Sequence, residues 1–170
     1  MGRLIATVLG FLLFAGVAQA AELPVGPMLF KLGAPRASVV AEAQSKITLV
    51  PVSGNPDMFF LSTGNPPNAK ILGGIAFKDG RLSWVQRNWG SFSGPATAVD
   101  VAKAVQSALS SAVSASGSSA TITTKNKQVP GTDFRSTYFQ FPGHKVTISV
   151  ADSTGQDYGR QVTVDESISL

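Results

Sequence analysis

Apolar and polar residues alternate most regularly between Gly73 and Trp89, where Ile75, Phe77, Leu82 and Trp84 flank the pair Asp79-Gly80. A period of two marks a strand with one buried face, and Asp-Gly accepts the positive φ angles of a type I′ turn. The pattern predicts a β-hairpin with Lys78 opposite Arg81, Phe77 opposite Leu82 and Ile75 opposite Trp84. The last four side chains then share one face, and that face needs a cover.

Helical spacing occurs twice. Val39, Val40, Ala43 and Ile47 predict a helix over residues 35–46, with Pro35 in its first turn, where a missing N–H is harmless. The second helix follows Thr97, whose spacing to Asp100 is that of a capping box. Val101, Val105, Ala108, Leu109 and Ala112 line one side of it, and a Ser/Gly stretch over 114–119 ends it. Its small apolar residues predict close approach to a sheet.

Residues 47–52 and 58–61 read as short strands, with Pro51 marking an edge or an end. Gly64-Asn65-Pro66-Pro67 is loop chemistry, and residues 21–27 form an extended lead-in. Residues 120–129, 134–141, 145–151 and 158–168 complete the strands. Between Phe141 and Lys145 the turn can centre on Pro142-Gly143 (type II) or on Gly143-His144 (type II′). The second suits the twist of a two-residue hairpin and is the expectation adopted. A shift of 64 residues then maps Ile75, Phe77, Leu82 and Trp84 onto Phe139, Phe141, Val146 and Ile148.

The expected fold is α+β: an antiparallel β-sheet with helices packed on one face, arranged as two α-β-β-β pseudo-repeats over 28–92 and 95–168. The alternative is that two unrelated hairpins share a common pattern. The stretch Leu32-Gly33-Ala34-Pro35-Arg36-Ala37-Ser38-Val39, followed by strands and by Phe77-Lys78-Asp79-Gly80-Arg81-Leu82, resembles a unit of the β-lactamase-inhibitor-protein-like superfamily. The small outer-membrane assembly lipoproteins of the SmpA/OmlA-like family are similar in layout. The resemblance implies an exported protein that binds other proteins and is not an enzyme. The chain lacks the lipid-anchor cysteine of one group and the disulfide cysteines of the other, so no functional residue is carried over.

Composition narrows this further. Residues 1–20 read as a signal peptide: Arg3, an apolar run over 4–17, and Ala18-Gln19-Ala20 before the cleavage point. A membrane anchor is the competing reading, but the run is shorter than the roughly 20 residues that span a bilayer. Residues 21–170 then form one exported domain, periplasmic or secreted, with no membrane span after signal cleavage. The chain has no cysteine, which excludes disulfides, thiol catalysis and cysteine metal sites. The net charge of +4 is spread along the chain with no basic stripe, so no nucleic-acid partner is expected.

Candidate chemistry is sparse. The one histidine, His144, is expected in a solvated turn. Asp152-Ser153-Thr154-Gly155 reads as a turn, although Asp152 and Asp157 are candidate calcium ligands. Asp165 and Glu166 are adjacent, so on a strand they point to opposite faces and make a poor acid/base pair. No Gly-x-Ser-x-Gly elbow is present. No metal, cofactor or catalytic residue is expected.

Alternation past Trp84 sends Val85, Arg87 and Trp89 to the uncovered face, joined by Tyr138, Gln140, Lys145 and Thr147 from the second hairpin. Trp, Tyr and Arg together have the composition of a protein-binding patch, with an envelope or secreted protein as partner. The alternative for Trp89 is a core position beneath Phe92 or the 64–70 loop. The expected function is an exported, non-catalytic protein-binding module. A carrier of a small apolar ligand and a hydrolase with unpaired carboxylates are the alternatives.

Overall fold

The computed structural model describes residues 21–64, 69–94, 98–153 and 159–170. The leader at 1–20, the loop prolines, the Thr97 cap and Asp157 lie outside the described residues. The elements run β1 (Glu22–Val25), β2 (Met28–Lys31), α1 (Arg36–Gln44), β3 (Thr48–Val52), β4 (Asn55–Thr63), β5 (Lys70–Lys78) and β6 (Arg81–Ser93). Then follow α2 (Ala98–Ser116), β7 (Thr121–Val129), β8 (Thr132–Gln140), β9 (His144–Ser153) and β10 (Arg160–Ser169).

β3 to β10 form one antiparallel sheet in the order β3-β4-β5-β6-β10-β9-β8-β7. Each half is a helix followed by a four-stranded meander, one strand more than the expected unit. The two meanders meet through their last strands, so β6 and β10 lie at the centre. The fold is α+β, with the helices on one face.

Two apolar cores occupy that face. The first joins the β1–β2 hairpin and α1 to β4, β5, β6 and β10 through Leu23, Val25, Met28, Phe30, Val39, Ala43, Leu61, Ile75, Phe77, Leu82, Val85 and Ile168. The lead-in is thus a buried hairpin: Leu23, Val25, Met28 and Phe30 alternate around Gly26-Pro27, and all four are buried. Each fully buried side chain of this size contributes about 1.5–3 kcal/mol.

In the second core, Ala104, Ala108 and Ala112 of α2 pack on Phe141, Val146 and Val164. These alanines recur every four residues along one stripe of the helix, and their small side chains let its backbone approach the sheet. Val85 and Ile168 of the first core and Val164 of the second lie in the same two-residue phase along β6 and β10. Both cores therefore rest on one side of the sheet.

The opening hairpin turns where expected, with Asp79 at φ 51° and Gly80 at φ 72°. Lys78 pairs with Arg81 and Phe77 with Leu82, but Ala76 pairs with Trp84 and Ile75 with Val85. Ser83 is an extra residue, a β-bulge. Its hydroxyl donates to the Ala76 carbonyl at 3.1 Å, and its carbonyl accepts from the Leu170 N–H at 3.0 Å. A one-residue insertion exchanges the faces of everything beyond it. Trp84 therefore turns to the uncovered face, while Val85 is fully buried.

The second hairpin also departs from expectation. Phe141 and His144 exchange backbone hydrogen bonds of 2.8 and 3.3 Å, so the turn centres on Pro142-Gly143, with Gly143 at φ 73°. The repeat holds as an order of elements, and the 64-residue shift does not hold as a residue correspondence.

Candidate functional site

The two cores meet at a buried polar cluster around Glu166, whose side chain is 0% exposed. Register places Glu166 beside Arg87 on β6 and Val146 on β9. Glu166 Oε2 accepts from Arg87 Nη2 at 2.5 Å and from Trp89 Nε1 at 3.1 Å. Its Oε1 accepts from Ser111 Oγ of α2 at 3.0 Å and faces His144 Nδ1 at 3.3 Å. The last contact is attractive when Nδ1 carries the hydrogen. Arg87 Nη2 also donates to Ser111 Oγ at 2.7 Å, and the guanidinium stacks 4.0 Å from the Trp89 ring centroid.

Burial raises the Glu166 pKa. The hydrogen bonds from His144, Arg87 and Ser111, with the Arg87 charge, outweigh burial and hold the carboxyl below its ordinary value. Chemically the cluster is a largely buried ion pair, in which Arg87 Nε has no partner among the described residues. Serine and histidine both contact the same carboxylate oxygen, whereas a nucleophile and its base must bond to each other. Among the described residues no three His, Cys, Asp or Glu side chains gather to hold a metal.

These contacts correct the expected positions of Val85, Arg87 and His144, and at Trp89 they bear out the core alternative. Val85, Arg87 and Trp89 lie on the helix-covered side, because the Ser83 bulge reversed their phase. At Trp89 a second bulge intervenes: Asn88 pairs with Asp165 and Gly90 with Val164, leaving Trp89 unpaired and turned inward. His144 is not a solvated turn residue; it is 6% exposed and opens β9 facing Ile168. The signal for this cluster was present in the sequence. Glu166 interrupts the apolar phase Val162, Val164, Ile168, and a charge in that phase requires a partner once buried.

Tyr138, Gln140, Lys145 and Thr147 lie on the uncovered face, in the phase opposite to buried Phe141 and Val146. The bulge adds Trp84, Gln86 and Asn88 from β6, and register adds Asp165, Ser167 and Ser169 from β10. Val50 and Phe60, paired across β3 and β4, share this face with 40% and 41% exposure. Asp165 accepts from Asn88 Nδ2 at 3.0 Å. Its pKa is raised by burial, partly offset by hydrogen bonds from Gln86 and Asn88.

The Trp84 indole lies over Gly74, where an added Cβ would stand 3.2 Å from its Cζ3. Beside it is a trough of about 230 Å³, bounded by Trp84, Gln140, Gly143, His144, Lys145, Ser167 and Ser169. Toward β8 and β7, the Lys125 and Lys145 ammonium groups each lie 5.9 Å from the Tyr138 ring centroid. Among the described residues no helix is long and apolar enough to cross a membrane. Compared with known proteins, the chain matches no family model, no curated protein and no solved structure.

Proposed function

We propose that the protein is an exported, non-catalytic binding module that contacts an envelope or secreted protein through the uncovered face of its sheet. The observation that carries this reading is the one-sided architecture. α1, α2 and the β1–β2 hairpin all pack on one face, and the other face bears Trp84, Phe60 and Tyr138 with flanking lysines. Large aromatic side chains beside cations on a broad surface suit protein contact. The leader-like pattern of residues 1–20 supports export, and the resemblance of residues 32–39 and 77–82 to exported inhibitor-like binding proteins supports a binding role.

The carrier and hydrolase readings have less support. A pocket of about 600 Å³ lined by Ile71, Trp89 and Phe92 keeps the carrier as the second reading, while both Glu166 oxygens are engaged internally, which disfavours a hydrolase. The test is capture from extracts of the native envelope, with the wild type and the double variant Trp84→Ala/Tyr138→Ala compared at equal loading. The expected result is loss of the specifically captured protein, with thermal unfolding shifted by only a few degrees, about what exposed positions cost. Unchanged capture would remove the sheet face from the reading.

A further inference from the structure

We propose that the uncovered face recognises an acidic polypeptide segment, with a carboxylate entering the trough at Lys145 and a neighbouring apolar side chain resting on Trp84. This rests on the reading that the face binds a protein, and it names the partner's chemistry.

The first ground is charge segregation. By register, Lys125, Lys127 and Lys145 all belong to the uncovered face, in the phase of Ser136, Phe134 and Gln140. None of the three makes an ion pair among the described residues. Acidic side chains lie elsewhere: Glu22 pairs with Lys31, Glu42 with Lys46, Asp57 with Arg36 and Asp152 with Arg160, and Glu166 is buried beneath α2. Asp165 is the one described carboxylate whose register places it on the uncovered face, and the Asn88 amide already holds it. Three unpaired cations facing one engaged acid attract an anionic partner and repel a basic one.

The second ground is the form of the trough. Ser167 and Ser169 are short, so β10 is low between Trp84 on β6 and Lys145 on β9. Ser167 is only 7% exposed, as a floor residue should be. Neither serine hydroxyl nor the Trp84 indole N–H has a protein partner among the described residues. A carboxylate there meets an ammonium and hydroxyl donors. The indole, packed on Gly74 through Cζ3 and Cη2, offers its remaining surface to an apolar group. Beyond it, Phe60 and Val50 continue an apolar side toward β3, while the lysines gather toward β7 around Tyr138 and the exposed Phe134. A segment carrying both acidic and apolar side chains matches that division.

A second copy of this chain is a poorer occupant, because its own corresponding face is cationic. An acidic glycan shares the carboxylate but lacks aliphatic side chains to cover Phe60 and Val50.

The test is an NMR titration of the isotope-labelled protein, following the Trp84 indole N–H and the Lys145 and Ser167 amides. The probes are a blocked pentapeptide alternating glutamate with leucine, its glutamine counterpart, its lysine counterpart and an oligogalacturonate. The glutamate peptide should shift all three resonances and bind about tenfold or more tightly than the glutamine peptide, weakening with added salt. Lys145→Gln should abolish that preference, and Trp84→Ala should remove most of the binding.

Equal binding of the glutamate and glutamine peptides, or no shift with millimolar glutamate peptide, overturns the inference. Binding of oligogalacturonate without peptide binding assigns the face to a glycan and overturns it as well. If peptides fail while envelope capture still requires Trp84 and Tyr138, the protein-binding reading survives and the acidic chemistry does not.

Discussion

Burial raises the pKa of Asp165 and of Glu166, yet the two neighbours end on opposite sides of their ordinary values. Glu166 has histidine, arginine and serine around it, and these favour its charge more than burial opposes it. Asp165 has only amide donors, from Gln86 and Asn88, and burial prevails. The linkage signs therefore differ. Glu166 binds its proton less readily when folded, so its stabilisation is full above the ordinary glutamate value and lost as pH falls through the depressed one. Asp165 contributes stability below the ordinary aspartate value and loses it as pH rises through the raised one. Urea unfolding across the acid range should show Glu166→Gln weakened by about 3 kcal/mol near neutrality, because Arg87 is left uncompensated. Its stability should then fall less steeply toward low pH than that of the wild type. An unchanged acid limb would mean that Glu166 is not the ionised centre of the cluster.

Along β6, one inserted serine decides which residues form the core and which form the surface. With regular pairing Trp84 would sit opposite Ile75 and Val85 would face solvent; the Ser83 bulge reverses both. The two substitutions Trp84→Ala and Val85→Ala therefore separate the registers. Val85→Ala should cost about 2 kcal/mol or more, through lost burial and the cavity left behind. Trp84→Ala should cost about 1 kcal/mol or less, as at a half-exposed position. Chemical denaturation of the two variants measures this, and the reverse order would restore the regular hairpin. The second bulge works in the same way, holding Trp89 beneath α2, where its N–H reaches Glu166.

Across the whole molecule, the sheet is paired and covered most fully at its centre. β6 and β10 pair along most of their lengths, carry core on both sides of the Glu166 cluster and receive α2 above them. β7 lies at one edge with almost all its residues exposed, and β3 at the other edge is short and contains Pro51. Native-state hydrogen exchange should find the β6 and β10 amides protected to near the global unfolding free energy, with β3 and β7 exchanging first. Equal protection at edge and centre would contradict this gradient. The same layout bears on binding: Trp84, Gln86, Ser167 and Ser169 of the uncovered face stand on the two central strands, so that part of the face needs little ordering on contact.

Local pattern was enough to reveal the kind of fold. Period-two runs, two helical stripes and the Asp79-Gly80 turn specify an antiparallel sheet with helices on one face, because strand and helix periodicity are properties of neighbouring residues. The placement of Tyr138, Gln140 and Lys145 was legible for the same reason, since both possible turns at 141–144 leave their phase unchanged. The phase of Val85 and Arg87 was not legible, because the Ser83 bulge is held by contacts with Ala76 and with Leu170, which is remote in the chain. His144 likewise became a buried partner only when a turn choice, balanced locally, was resolved by packing against Ile168 and Glu166. Bulges and turn registers shift the alternation by one residue at small local cost, and long-range burial selects between the settings. The identity of the exposed face was therefore decided by tertiary structure.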